Sequence, residues 1–385
     1  MSKVLLLNQF FWPDCSATSQ ILTDVAHHVA AAGHSVTAVC SDSAAPDGDQ
    51  GPPPAVDIVR VSSFGFSRRP VARVASYASF LLGALHKSFF SKADIVVTLT
   101  TPPLLAVVGT ILKKTRHVKH YIWEMDVYPD IVTDLGLMNR GSLPMRLTGY
   151  IADWTRRNAD GVIALGEDMK VRLMAHGIAA EKIHIAENWA DSSAISPSPF
   201  PVGPVTIHYS GNLGLAHDID TIARTMEALR SDSQFRFVFA GGGPRRAGLQ
   251  AFCRERDITN VAFKPYCART QLGLSLAEGH VGLVTQKPEA IGTVVPSKTY
   301  GIMAAGRPLL YIGPRGAAPA RIIEKFRCGW HIEPGDVTGL VTLLRSLAGC
   351  PSQFHEAGLR ARNALLEHYD RHIGVARIAA ILGLT

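Results

Sequence analysis

Residues 205–214, VTIHYSGNLG, form an apolar-rich run that stops at a glycine turn. A buried strand leading into a strand-to-helix turn is the reading that decides the fold. Working outward, a helix is expected at about 219–229, and FRFVFAGGG repeats the strand-then-glycine pattern. NVAFKP, VGLVTQ, RPLLYIG and GWHIE continue the series towards the C-terminus. Before it, KVLLLNQ, HSVTAVCS, ADIVVTLT, HVKHYIWEM and DGVIALG do the same, with a first helix at 19–32 ended by Gly33. Short apolar strands alternating with helices predict an α/β fold whose parallel sheets are covered on both faces.

Two stretches break the alternation. A loop at 43–56 is rich in Asp, Gly and Pro, and DSSAISPSPFPVGP (191–204) carries four prolines, which marks an interdomain linker. At 385 residues one ordinary core is too small for the chain. The expectation is therefore two Rossmann-like, doubly wound domains facing a cleft: 1–195, then a linker at 196–204, then 205–365. A last helix at about 352–383 is long enough for its end, 366–385, to pack back on the first domain. Ligands in such sheets bind beyond the carboxyl ends of the strands.

Composition narrows the function classes. Apolar content of 47% with 18% charged residues describes a globular chain, and the net charge of +7 comes almost wholly from the half after residue 195. No Arg/Lys run interleaved with aromatics and no zinc-finger or RNA-recognition signature occurs, so nucleic acid is not the expected partner. The six cysteines are scattered without a C-x-x-C pair, which argues for reduced thiols and no metal site. No apolar run reaches 18 residues and MSKVLLLNQFFWP reads as a first strand, so a cytoplasmic location is expected. Residues 68–92 repeat apolar side chains at helical spacing between Arg68, Arg69, Arg73, Lys87 and Lys92. Peripheral contact with the inner face of an anionic membrane and an ordinary core-facing helix are both open readings.

The richest twenty residues for chemistry are EAIGTVVPSKTYGIMAAGRP, 289–308. A lone carboxylate, Glu289, precedes a Gly/Thr/Val turn, a Pro-Ser-Lys corner and an Ala-rich helix closed by Gly306. Lys298 falls at the helix start, where a cation gains nothing from the dipole, so an anionic ligand is the external reason for it. Glu289 can accept hydrogen bonds from hydroxyls, and phosphate plus polyol describes a nucleotide sugar. In YSGNLG, Gly211, Asn212 and Gly214 either bring backbone N–H groups to that phosphate or make a plain turn. In FAGGGPRR, Gly242 and Arg245 face the same choice, and Pro244 interrupts any dinucleotide spacing. Asp14, Ser16 and Thr18 stand before the first helix as caps or as the acceptor side of a site. Asp126, in WEMDVYPD, is a structural aspartate or one that accepts a hydroxyl proton.

Over nearly its full length the chain resembles glycosyltransferase family 4, the retaining nucleotide-sugar transferases of GT-B fold. AAAGHSVTAVCS, GEDMKVRLMAHGIAAEKIHIAENWAD, YSGNLGLAHDIDT, FAGGGP and PSKTYGIMAAGRPLL carry the likeness together. Within the family it looks most like bacterial surface-polysaccharide transferases of the fucosamine type. The resemblance implies a donor nucleotide in the C-terminal domain, UDP favoured, and an acceptor in the N-terminal one, a glycan or polyprenyl-diphosphate-linked sugar. It implies no cofactor and no metal. Glu289 matches the first glutamate of the family's paired motif, Lys298 would face the diphosphate, and Thr293 and Val294 would offer backbone N–H groups there. Eight residues on from Glu289 stands Ser297, and alignment on the M-A-x-G helix reaches Gly301, so the second glutamate is missing. Asn212 and His217 occupy the places of the G-R-x…K diphosphate pair, and Asp126 lies near that of the usual histidine. A nucleotide-sugar epimerase and an inactive transferase-like partner subunit are the other expectations.

Overall fold

The computed structural model describes residues 1–14, 16–42, 55–62 and 70–384. Most of the loop at 43–56, Cys15, Arg68, Arg69 and the side chain of Arg73 lie outside the described residues. The chain separates into two compact units: 1–187 with 292–294 and 372–385, and 188–291 with 295–371.

The first unit contains β1 (Lys3–Leu7), β2 (Ser35–Ser41), β3 (Asp57–Val61), β4 (Ile95–Thr98), β5 (Lys119–Trp123), β6 (Gly161–Ala164) and β7 (Ile183–Ile185). They form one sheet in the order β3-β2-β1-β4-β5-β6-β7, parallel throughout. Strands β4 and β6 are buried at every residue, as expected where both faces are covered. Val61, Phe80, Ala84, Leu105 and Leu112 close one side of the core against β1 and β4.

The second unit contains β8 (Val205–Ser210), β9 (Phe235–Ala240), β10 (Val261–Lys264), β11 (Val281–Thr285), β12 (Leu309–Ile312) and β13 (Gly329–Ile332). The order is β10-β9-β8-β11-β12-β13, again parallel. Strand order reverses at β1/β4 in one unit and at β8/β11 in the other, and such switch points open a crevice beyond the strand ends.

Two strands escape a search for apolar runs. β3, DIVRV, and β7, IHI, are edge strands of mixed polarity, so neither reads as a doubly buried strand. The expected single helix over 352–383 is instead two, Ser352–Ala364 and Arg371–Leu382, separated by a wide turn at Leu365–Tyr369. Asp370 is extended (φ −72°, ψ 153°) because its carboxylate accepts from the Ser192 amide at 3.1 Å and the Ser192 hydroxyl at 2.5 Å. A tertiary partner there outweighs helix propensity.

Candidate functional site

The two glycine motifs of the second unit are one structure. Ser210 and Ala240 are register partners at the ends of β8 and β9, so the loops that follow must lie side by side. The Gly211 amide donates to the Ala240 carbonyl at 2.9 Å, Leu213 to Gly242 at 2.7 Å and Arg245 to Leu213 at 3.2 Å. Gly241, at φ +125°, packs so closely that a Cβ there would sit 2.2 Å from the Gly211 carbonyl oxygen. Only glycine combines that dihedral with that approach.

Lys298 comes into this corner from the helix Lys298–Ala304, with its Cε 3.6 Å from where a Gly211 Cβ would be. Its ammonium donates to the Tyr209 hydroxyl at 2.6 Å and lies 4.1 Å from the centre of that ring. Tyr209 passes its own proton to the Asn212 carbonyl at 2.7 Å. His217 completes the group, with Nδ1 2.7 Å from the Thr285 carbonyl and Nε2 3.3 Å from the Lys298 ammonium. A carbonyl only accepts, so Nδ1 carries the proton and Nε2 offers its lone pair to Lys298. Burial, then the charge of Lys298, pushes His217 down to about 3, and burial lowers Lys298 to about 7. Among the described residues no carboxylate pairs with Lys298.

Glu289 sits on the single turn Pro288–Ala290 just after β11. Buried Gln286 anchors that turn, donating to the Ala290 carbonyl at 3.1 Å and accepting from the Tyr311 hydroxyl at 2.9 Å. The Glu289 side chain is exposed. Ser297 precedes the helix in helical conformation and makes no side-chain cap. Gly214 lies beside Asn212 and His217, and Gly242 lies against the Tyr266 ring. Arg245 is paired with Asp220 at 3.1 Å. Thr293 and Val294 belong to the first unit, where the Thr293 carbonyl accepts from Val127 at 2.9 Å and Val294 bridges Asp126. The structure thus brings Lys298, Gly211, Asn212 and Gly214 together and sends Thr293 and Val294 to the Asp126 segment.

In the first unit Ser16 caps the helix Ala17–Ala31, accepting from the Ser19 amide at 3.4 Å. Asp14 accepts from the Ser16 amide at 2.8 Å and Thr18 lies 3.3 Å from the Ser16 hydroxyl, so the three stand together at that helix start, with Ser16 as its cap. Asp126 is half-buried beyond β5, its amide held by the Thr100 hydroxyl at 3.2 Å. Burial, then the nearby charge of Glu124, raises its carboxyl to about 6. Tyr209 has no distinguishing signal in the sequence beyond standing two places before Gly211. Gln9, beyond the end of β1, is another residue that motif reading passes over: it is fully buried, and neither side-chain amide atom has a partner among the described residues.

Comparison with known proteins identifies the family. A glycosyl transferase 4-like domain matches residues 17–189 and a glycosyl transferases group 1 domain matches 192–364. The chain is 24% identical over 345 residues to the probable glycosyltransferase WbjE of Pseudomonas aeruginosa, covering 86% of each. It is 26% identical over 250 residues, 61% of each chain, to WcaI of Escherichia coli strain K12, a putative colanic acid biosynthesis glycosyl transferase. Anabaena HepE, solved with UDP-glucose, superposes with a TM-score of 0.75 at 13% identity over 100% of both chains. The two domain models together span most of the sequence, and the chain belongs to the group 1, family 4 glycosyltransferases of GT-B fold.

Proposed function

We propose that this glycosyltransferase moves a hexose or amino sugar from a nucleoside diphosphate, UDP favoured, to an acceptor hydroxyl with retention and without a metal. The carrying observation is the Lys298 ammonium, held by a hydroxyl and a neutral imidazole at the β8/β11 switch point with no carboxylate partner among the described residues. A desolvated cation without a counter-ion is costly unless an anion completes it. The adjoining glycine loops suit close approach of a diphosphate.

In the reaction the bond from the sugar anomeric carbon to the diphosphate breaks while the acceptor oxygen bonds that carbon on the same face. The acceptor proton passes to the departing phosphate oxygen. Lys298 stabilises the charge that develops there. Glu289, exposed and unpaired among the described residues, would receive hydroxyls of the donor sugar. Asp126, with a carboxyl near 6, would orient the acceptor hydroxyl. The UDP-glucose complex of HepE supports the choice of base, and the name of WcaI supports an acceptor in surface-polysaccharide synthesis. A polyprenyl-diphosphate-linked acceptor fits the apolar, basic helix Pro70–Phe89, where Val74 and Leu82 are 66% and 70% exposed.

A panel of UDP-, GDP- and dTDP-sugars screened by thermal unfolding tests the donor. A true donor at 100 times its dissociation constant adds about 2.7 kcal/mol. No stabilisation by any nucleotide or nucleotide sugar would sink the reading in favour of an inactive partner subunit.

A further inference from the structure

The segment that carries Asp126 is held by a buried side-chain circuit centred on Arg156, a residue outside every motif of the sequence analysis. Arg156, on the helix Leu143–Asn158, is 3% exposed and uses all three of its nitrogens. Nε donates to the Glu124 carboxylate at 2.7 Å and a terminal nitrogen to the Tyr128 carbonyl at 3.0 Å. Those two partners stand two residues before and two residues after Asp126. The third nitrogen reaches Asp153 at 3.1 Å. Asp153 in turn accepts from His176 Nδ1 at 3.2 Å, and His176 Nε2 meets Asp130 at 2.9 Å. Arg172 closes the circuit on Asp130 at 3.1 Å and Asp134 at 2.9 Å. Glu124 is 2% exposed and its second oxygen has no partner among the described residues.

A ring of this kind gives a short loop one placement, because moving it breaks several charge-assisted hydrogen bonds at once. We propose that Arg156 is a positioning residue for Asp126: by gripping the chain on both sides of it, Arg156 and its partner Glu124 set where that carboxyl stands and how it is charged. This rests on the reading that Asp126 works on the acceptor.

The groups around Asp126 are accounted for. Glu124 acts on it from its own segment, while Arg156 and Asp153 come from the helix Leu143–Asn158, Arg172 and His176 from the helix Glu167–Ala175 and its cap, and Asp130 and Asp134 from the short helix Asp130–Asp134. The Gly292–Val294 segment and Thr100 bring no titratable group.

Two variants of the full chain test the proposal. Glu124→Gln keeps the shape and an acceptor for Arg156 but removes the charge. Carboxyl carbon NMR of the wild type, assigned by Asp126→Asn, should give an Asp126 midpoint near pH 6, and Glu124→Gln should lower it by up to about one unit, burial being the larger cause of the shift. Arg156→Lys keeps the charge but loses the fork. With the donor chosen by the stabilisation screen, kcat should fall at least about tenfold while the donor KM stays, since small misplacements have large kinetic effects. An unmoved midpoint in Glu124→Gln, or wild-type kcat in a folded Arg156→Lys, with Asp126→Asn inactive, overturns this proposal alone. Full activity in Asp126→Asn overturns the acceptor reading and this proposal with it.

Discussion

At the scale of single residues the proposed chemistry concentrates on Lys298. Its replacement by alanine should lower turnover by roughly 10²-fold or more if it acts as a preorganised charge stabiliser. Wild-type turnover in a folded Lys298→Ala protein would remove it from the mechanism. The pH dependence follows from its neighbours. Burial brings its pKa to about 7, so the free site loses its cation as pH rises through that value. Nucleotide affinity should therefore weaken above pH 7 and binding should take up a proton, which calorimetry in two buffers of different ionisation enthalpy measures. The effect on stability has the opposite sense. With the folded pKa below the unfolded 10.5, the unfolded chain binds more protons between the two, so stability contributed by this residue rises with pH across that window. Lys298 and Glu289 could be read from one short stretch, because both lie on the same connection. Tyr209, 89 residues away, could not, and His217, 81 away, was placed only by the family resemblance.

At the scale of elements, two predictions separate packing from chemistry. Gly241→Ala would place a methyl 2.2 Å from a backbone oxygen at a dihedral that alanine resists, so the β8 and β9 loops must part. Unfolding experiments should show a loss of about 2 kcal/mol or more, together with weaker donor stabilisation. A variant as stable as wild type would mean the loops move freely. The second concerns the helix Glu167–Ala175 and its cap residue His176. Hydrogen bonds to Asp130 and Asp153 raise His176 from 6.5 to about 9. A raised pKa means its stabilisation is complete below about pH 6.5 and is lost as pH climbs through about 9. His176→Ala should cost about 1.5–3 kcal/mol at pH 6 and much less at pH 10, as denaturant melts at the two values would show. Strand and helix positions were legible wherever elements are buried on both faces. The edge strands β3 and β7 and the break at Asp370 were not, since their partners, and not their own patterns, decide them.

At the scale of the whole molecule, charge and exposed apolar surface bear on location. The net charge is +7, and no helix among the described residues is long and apolar enough to cross a membrane. Along the helix Pro70–Phe89 and just past it, Val74, Leu82 and Phe90 are at least 66% exposed, next to exposed Lys87 and Lys92. Flotation with vesicles containing anionic lipid should carry the protein, less so in high salt, and Leu82→Asp should weaken it. Protein left at the bottom of the gradient at low salt would end the proposal of peripheral membrane contact.

The sequence by itself determined the alternation of buried strands and helices, hence parallel sheets, and it determined the family through motifs spread along the chain. It also placed Glu289, Lys298 and the two glycine loops as separate candidates. Only the tertiary structure decided that the glycine loops dock on each other, that Lys298 meets no carboxylate among the described residues, and that Arg156 brackets Asp126. The physical reason is range. Periodicity records what each residue's near neighbours and burial require, whereas these partnerships arise where crossovers set the ends of distant strands side by side.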